Sequence, residues 1–204
     1  MIKYCLWESR FFGFDIYLLE KQDLKNKNLE NILKNFQKKT LIRSVHIKDK
    51  VFENYLSNLG FINVDDGLEY DICLNDKNLK DQDIINIKEP YYFEKLSNIH
   101  TISFRSFSTK FFNKSKYYFD KNFDSKLADK MYLEWFNKSI NGEFDDEIIG
   151  ITKQKNIIAF SSLKKICSEE CKIGLFGVNP KYFQNGFGKL MLENLIIYIK
   201  KNNF

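Results

Sequence analysis

Proline and histidine are scarce in this chain, which has two of each among 204 residues. So little proline, with a hydrophobic fraction of 44%, excludes a proline-rich disordered protein. His46 and His100 lie far apart, and of the four cysteines only Cys167 and Cys171 are near neighbours, so the spacing of a zinc site is missing. We therefore predict free thiols in a reducing cytoplasm and no bound metal.

The sequence also lacks a basic block and a long apolar run. Its net charge of +5 is spread along the chain, which disfavours a nucleic-acid partner and suits a small anionic ligand, or none. Glu8 and Arg10 interrupt the apolar N-terminus, which is therefore neither a signal peptide nor a membrane span. We expect a cytoplasmic protein with no nucleic-acid or membrane partner, and the pairing of two copies as a homodimer stays open.

The apolar residues that are present recur with strand and helix periods in turn, which predicts an α/β fold. In the first 75 or so residues the pattern predicts a strand at 11–20 entered through a glycine turn, a helix at 24–39, a strand at 40–47, a helix at 49–60 and one or two strands at 61–74. The polar segment 75–83 is the best boundary, giving a small α/β domain at 1–80 and a second domain at 84–204.

The second domain begins with a strand that leads into a helix near Pro90. After it we predict a helix continuing to Ile99, an aromatic loop at 108–124, a helix at 125–140, a hairpin turning at Lys155-Asn156, a strand at 171–178 and a last helix from Gly186 to Lys201. The last helix is apolar nearly all round and should be largely buried.

The segment "VNPKYFQNGFGKLM", residues 178–191, joins the last predicted strand to the last helix. Gly186 and Gly188 let the backbone turn tightly, and the first amides of the helix have no internal acceptor. With the helix dipole and the charges of Lys181 and Lys189, they would form a site for a phosphate or diphosphate. The alternative is an ordinary tight connection, and the pattern is neither a Walker A loop nor a Rossmann fingerprint.

This segment resembles the acyl-CoA-binding motif of the GNAT acetyltransferases, V-x-P-x-Y-R/Q-G-x-G-I-G. Val178, Pro180, Tyr182, Gly186, Phe187 and Gly188 match in register, whereas the usual Arg or Gln falls on Phe183 and Gln184 stands one place late. The resemblance implies a GNAT fold, a mixed sheet with flanking helices, that binds acetyl-CoA as co-substrate and no metal. The residues that it assigns to acetyl-CoA are Phe176, Gly177, Val178, Phe183, Gln184, Asn185, Gly186, Phe187, Gly188 and Lys189.

Shorter motifs over nearly the whole chain are similar to one GNAT branch, which acetylates a dTDP-linked 4-amino-4,6-dideoxygalactose. They include "LWESRFFGFDI" (6–16), "SKYYFDKNF" (115–123) and "EWFNKSINGEFDD" (134–146). The resemblance implies a nucleotide-sugar substrate for surface polysaccharide synthesis. Lys116 and Tyr117, which replace the branch's Arg-Phe, would contact that substrate. Lys110, Lys114 and the nearby aromatic residues could do the same, or the segment could simply cover the core.

The resemblance also implies how the reaction would proceed. A backbone amide near Phe176 or Gly177 would polarise the thioester carbonyl, and the sugar amine would attack directly. No general base is assigned, because the nearest acids in sequence, from Glu143 to Glu147, are best interpreted as a solvated turn. No residue here matches the family's general-acid tyrosine or its final strands, so we expect an incomplete GNAT domain with unknown catalytic residues. The alternatives are a degenerate GNAT protein that binds acyl-CoA or a partner without turnover, and an α/β module with no CoA site.

Overall fold

The protein is described by a computed structural model, which covers residues 2–19, 23, 29–36, 40–44, 50–65, 70–74 and 87–202. The chain forms two compact units. The first comprises Met1–Gly67 and Lys116–Leu127, and the second comprises Leu68–Ser115 and Ala128–Phe204. The segment 75–83, where the sequence predicts the domain boundary, lies outside the described residues, so the predicted domain limits stay a prediction.

Helices and strands alternate up to residue 65, whereas from residue 87 onward one strand is followed by three helices, three strands and a last helix, so the protein is of the mixed α/β (α+β) class. From the N-terminus to residue 65 the elements are β1 Lys3–Tyr4, α1 Leu6–Phe12, β2 Ile16–Leu19, α2 Leu29–Lys34, β3 Leu41–Ser44 and α3 Lys50–Asn58. From residue 87 onward they are β4 Tyr92–Lys95, α4 Thr101–Phe111, α5 Lys116–Phe119, α6 Ser125–Ile140, β5 Glu147–Lys153, β6 Asn156–Lys165, β7 Cys171–Val178 and α7 Phe187–Lys201.

The first unit contains a small sheet in the order β1-β2-β3, in which β2 pairs antiparallel with β1 and parallel with β3. Gly13 ends α1 in the left-handed conformation, at φ 77°, and so turns the chain into β2 as the sequence predicts. Leu19, Leu29 and Leu56 form the core of this unit. The described part of 61–74 contains no strand, so the prediction of a strand there is wrong for that part.

The second unit is built on the antiparallel sheet β4-β5-β6-β7. Strand β6 is buried over seven consecutive residues, 157–163, because helices cover both faces of the sheet. Met191, Leu195 and Ile199 of α7 pack with Ile151 and other residues of β5 and β6 on one face. On the other face, Phe104 of α4 stacks on Phe136 of α6 at a centroid distance of 3.9 Å, and both rings meet Phe160 of β6 edge-on.

Two predictions in this unit are wrong. Residues 92–95 form strand β4 rather than a helix, because Phe93 packs against the α7 side of the sheet while the backbone pairs with β5. The helix begins at Thr101, and it runs to Phe111, into the segment predicted as an irregular loop. Aromatic side chains at Phe104, Phe107 and Phe111 have helical spacing, and the first two of them are buried.

The later elements agree with the sequence more closely. Strand β7 and helix α7 have the predicted bounds to within a residue, with Gly186 as the N-cap of α7. The hairpin between β5 and β6 turns at Gln154 and Lys155, one residue earlier than predicted. Both residues have positive φ, at 50° and 64°, as a two-residue turn of the I′ type requires.

Candidate functional site

The connection from β7 to α7 is fixed to the sheet by a side chain that sequence analysis missed. Asn179 is buried, its backbone N–H donates to the Ile158 carbonyl at 2.7 Å, and its Nδ2 donates to the Ile157 carbonyl at 3.1 Å. Its Oδ1 accepts the N–H of Lys181 at 3.1 Å and so starts a short 3₁₀ turn, Pro180–Tyr182. The signal in the sequence is an asparagine placed directly before a proline.

Residues 184–189 expose a row of backbone donors. The N–H groups of Gln184, Gly186, Phe187, Gly188 and Lys189 find no acceptor within the described chain, and the first bond of the helix runs from the Leu190 N–H to the Gly186 carbonyl at 3.0 Å. Gln184 and Gly186 both adopt left-handed backbone conformations, with φ of 62° and 79°. Alternation of this kind turns successive N–H groups toward one concavity, which is a geometry that binds anions.

The space around this turn is open. A Cβ added at Gly186 would meet no heavy atom within 4 Å, and one added at Gly188 would lie 3.5 Å from Cγ2 of Val178, which is ordinary contact. Phe183, which replaces the motif's Arg or Gln, is 55% exposed and adds no donor of its own beyond its backbone. Lys189 is exposed and lies 3.8 Å from Glu193, so its charge is only loosely paired.

The side chain of Phe187 has another role. It is buried, and it packs edge-on against Tyr91 and Tyr182 at centroid distances of 5.0 and 5.8 Å. It therefore anchors the first turn of α7 in the core, and only its backbone N–H faces the turn.

The other predicted residues for acetyl-CoA lie on β7. Phe176 and Val178 pack into the α7 side of the sheet. Gly177, which pairs with Phe160, faces the α4 side, and there the ring of Phe111 occupies the position that a Cβ of Gly177 would need. A glycine is required at this position because the aromatic ring lies directly on the strand backbone.

Strand β7 contains a bulge at Gly174 and Leu175, where its register against β6 shifts. The Leu175 N–H donates to the side chain of Ser162 at 2.7 Å, rather than to a carbonyl of the ladder. A Cβ on Gly174 would lie 2.7 Å from Oγ of Ser162 and 2.9 Å from Oδ1 of Asp145, so a side chain at this position would have to displace one of them.

The carboxylate beside this bulge corrects one interpretation of the sequence. Asp145, which was assigned to a solvated turn, is 5% exposed. Its Oδ2 accepts hydrogen bonds from Oγ of Ser139 at 2.6 Å and from Nε1 of Trp135 at 3.2 Å, both on α6. Sequence analysis missed this site because its members come from α6, the following turn and β7.

Lys116 and Tyr117 lie in the first unit, whereas the turn lies in the second. The Tyr117 hydroxyl donates to Glu8, which also forms an ion pair with Arg43. Tyr117 is 6% exposed and stacks on Phe12 at 5.7 Å, so a base could stack on it only by displacing that ring. Burial and then the charge of Arg43 lower the pKa of Lys116. Lys110 has a side chain outside the described part of the structure.

The cysteines, the possible metal ligands and the lengths of the helices are the remaining features of the described chain that bear on function. All four cysteines are free thiols, as predicted. Within the described ranges no cluster of three His, Cys, Asp or Glu side chains could hold a metal ion. No described helix has both the length and the apolar character that a membrane crossing demands.

Comparison with known proteins adds a structural likeness only. No protein-family profile and no curated protein matches the chain. Among solved structures, it is similar to a PaiA N-acetyltransferase from Thermoplasma acidophilum in complex with coenzyme A, at 18% identity and a TM-score of 0.43. The likeness covers 55% of this chain and 73% of the other.

Proposed function

We propose that this protein is a GNAT-type N-acyltransferase that transfers an acetyl group from acetyl-CoA to a primary amine. The observation that carries the proposal is the row of unpaired N–H groups at residues 184–189. Donors of this kind at a helix N-terminus suit the diphosphate of coenzyme A, because they point outward and carry the positive end of the helix dipole. Their place between β7 and α7 is the place that the GNAT motif occupies.

Different residues around the turn would have different roles in the binding of acetyl-CoA. The backbone of Gln184, Gly186, Phe187, Gly188 and Lys189 would hold the diphosphate, while Asn179 and the ring of Phe187 keep the turn rigid. The acyl arm would follow β7, the last strand in the described order of this sheet. An amide of this strand would stabilise the negative charge that develops on the thioester oxygen.

We further propose that the acceptor is a nucleotide-linked amino sugar, a dTDP-4-amino-4,6-dideoxyhexose, and that the reaction serves surface polysaccharide synthesis in the cytoplasm. The support is the order of short motifs shared with TDP-fucosamine acetyltransferases. Lys116 stays a candidate for the substrate's phosphates, because it is half-buried and the described ion pairs do not include it. Tyr117 would position this part of the chain through Glu8 rather than stack on the base.

A second candidate is a degenerate GNAT protein that binds acyl-CoA without turnover. The observation that favours it is the ring of Phe111, which lies on Gly177 where the acyl arm would pass. Turnover would then require this ring to move.

Calorimetry with acetyl-CoA and a thiol-release assay with dTDP-4-amino sugars test the proposal in two steps. Binding at micromolar or tighter affinity, followed by thiol release that depends on the amino sugar, is expected. Binding without release supports the degenerate protein. No binding overturns both candidates and leaves an α/β protein whose turn is a structural connection.

A further inference from the structure

The outer edge of β7 presents backbone donors just before the turn that would hold the diphosphate. The N–H groups of Leu175 and Asn179 both donate to acceptors on β6, each at 2.7 Å. Because the N–H groups of a strand point alternately to its two sides, those of Phe176 and Val178 point away from β6. Strand β7 is the last in the described order of the sheet, so no described strand pairs with these two donors.

The two faces of the sheet differ beside the Phe176 amide, where the thioester would lie. The side chains of Phe176 and Val178 pack into the face that bears α7. On the face that bears α4, the strand has only Gly177, and the nearest atoms there belong to the ring of Phe111, the last residue of α4. An acyl group that extends from the thioester over this face therefore meets Phe111.

The ring of Phe111 points its tip at the strand backbone. Its Cζ and Cε1 lie 1.5 and 2.1 Å from the place that a Cβ of Gly177 would take. The ring also contacts Phe160, the β6 partner of Gly177, at a centroid distance of 5.6 Å. It is only half-buried, whereas Phe104 and Phe107 of the same helix are buried. A ring that is not enclosed can shift aside for a small group, but a longer chain needs the space that the ring fills.

We propose that Phe111 determines the acyl specificity of this protein, by limiting the acyl group of the bound thioester to acetyl. This inference rests on the proposed function. Acetyl has a single carbon beyond the thioester carbonyl, so a small displacement of the ring accommodates it. Each further methylene would press on a ring that already packs against Phe107 and Phe160. A steric limit of this kind discriminates between acyl groups by their length.

Phe112 provides the matched control. It is also a half-buried phenylalanine at the end of α4, but its ring stacks on Tyr132 of α6 at a centroid distance of 3.9 Å. Phe112→Ala removes the same atoms from the same end of the helix and leaves the Phe111 ring at Gly177. A general loss of packing at this end of α4 would therefore act in both alanine variants, whereas a change in acyl-length preference belongs to Phe111 alone.

The experiment measures by calorimetry the binding of CoA, acetyl-CoA, butyryl-CoA and hexanoyl-CoA to wild type, Phe111→Ala and Phe112→Ala. Wild type should bind acetyl-CoA about ten-fold or more tightly than hexanoyl-CoA. In Phe111→Ala this ratio should fall to about two-fold or reverse, because the longer chain fills the apolar space that the ring has left. Phe112→Ala should keep the wild-type ratio, and free CoA should bind all three proteins within about two-fold.

Phe111→Leu is a second variant, which keeps an apolar side chain at the helix end and decides the question if the alanine variant does not fold. It should bind butyryl-CoA nearly as well as acetyl-CoA. Equal affinity of wild type for acetyl-CoA and hexanoyl-CoA, an unchanged preference in the Phe111 variants or an equal change in Phe112→Ala overturns the inference. In those cases the proposed function stands as long as acetyl-CoA binds. If no form of CoA binds, the proposed function fails and the inference fails with it.

Discussion

At the scale of single residues, Gly188 gives the most direct test of the diphosphate site. Gly188→Trp would place an indole ring at the start of α7, and its Cβ would make only ordinary contact, 3.5 Å from Cγ2 of Val178. We expect acetyl-CoA binding to fall below detection in calorimetry while the circular dichroism spectrum stays that of wild type. Gly188→Ala is the control, and it should bind nearly as wild type because its methyl group makes ordinary contact. Retained affinity in the tryptophan variant would place the phosphates elsewhere.

Tyr117 offers a test of how the first unit is held together. Tyr117→Phe removes the hydroxyl that donates to the partly buried carboxylate of Glu8, and we expect a loss of about 1–3 kcal/mol in the free energy of unfolding, measured with urea. The control is Tyr4→Phe, whose hydroxyl bonds Asp15 at an exposed position and whose loss should be within about 0.5 kcal/mol. Equal effects of the two changes would contradict the role given to the Tyr117–Glu8 hydrogen bond.

At the scale of elements, the β5–β6 hairpin turn contains a strained backbone position, and a substitution could relieve that strain. Lys155 has φ of 64°, in a region that costs a residue with a side chain about 1–2 kcal/mol. Lys155→Gly should therefore raise the free energy of unfolding by up to about 1 kcal/mol, after the greater chain entropy of glycine is subtracted. Asn156→Gly, next to it but in the strand, should lower stability. A lower midpoint in urea for Lys155→Gly would show that the lysine side chain stabilises the turn.

The elements also show which parts of the fold can be predicted from the sequence. Strand β7 and helix α7 could be predicted, because each is an apolar run bounded by proline or glycine. The region 91–111 could not, since aromatic residues occupy both strand and helix positions there and the period does not decide between them. The site at Asp145 depends on Trp135, Ser139 and Gly174, and no spacing in the sequence brings those residues together.

At the scale of the whole molecule, the stability of the fold should depend on pH through Glu8. Burial raises the pKa of this carboxyl, but the hydrogen bond from Tyr117 and the charge of Arg43 outweigh it, so the pKa lies below the ordinary 4.5. A depressed pKa contributes stability that is fully present above the unfolded value and is lost as pH falls through the folded value. We expect urea midpoints that are level from neutral pH to about pH 5 and then fall.

The control for this dependence is Glu8→Gln, which cannot ionise. It should be less stable than wild type at neutral pH, and its urea midpoint should change less as the pH falls below 4.5. If the urea midpoints of wild type and Glu8→Gln fell equally as the pH was lowered, the acid sensitivity would come from other carboxylates.

The first unit is assembled from two stretches of chain, Met1–Gly67 and Lys116–Leu127, and the Glu8–Tyr117 hydrogen bond joins residues 109 positions apart. The sheet of the second unit, in contrast, pairs each strand with its neighbour in sequence. On a ribosome, the N-terminal stretch therefore emerges long before the short segment that packs Tyr117 and Phe123 against Phe12. The ring of Phe12 has to wait for these two partners through the synthesis of α4, so an apolar surface of the first unit stays uncovered for that part of translation.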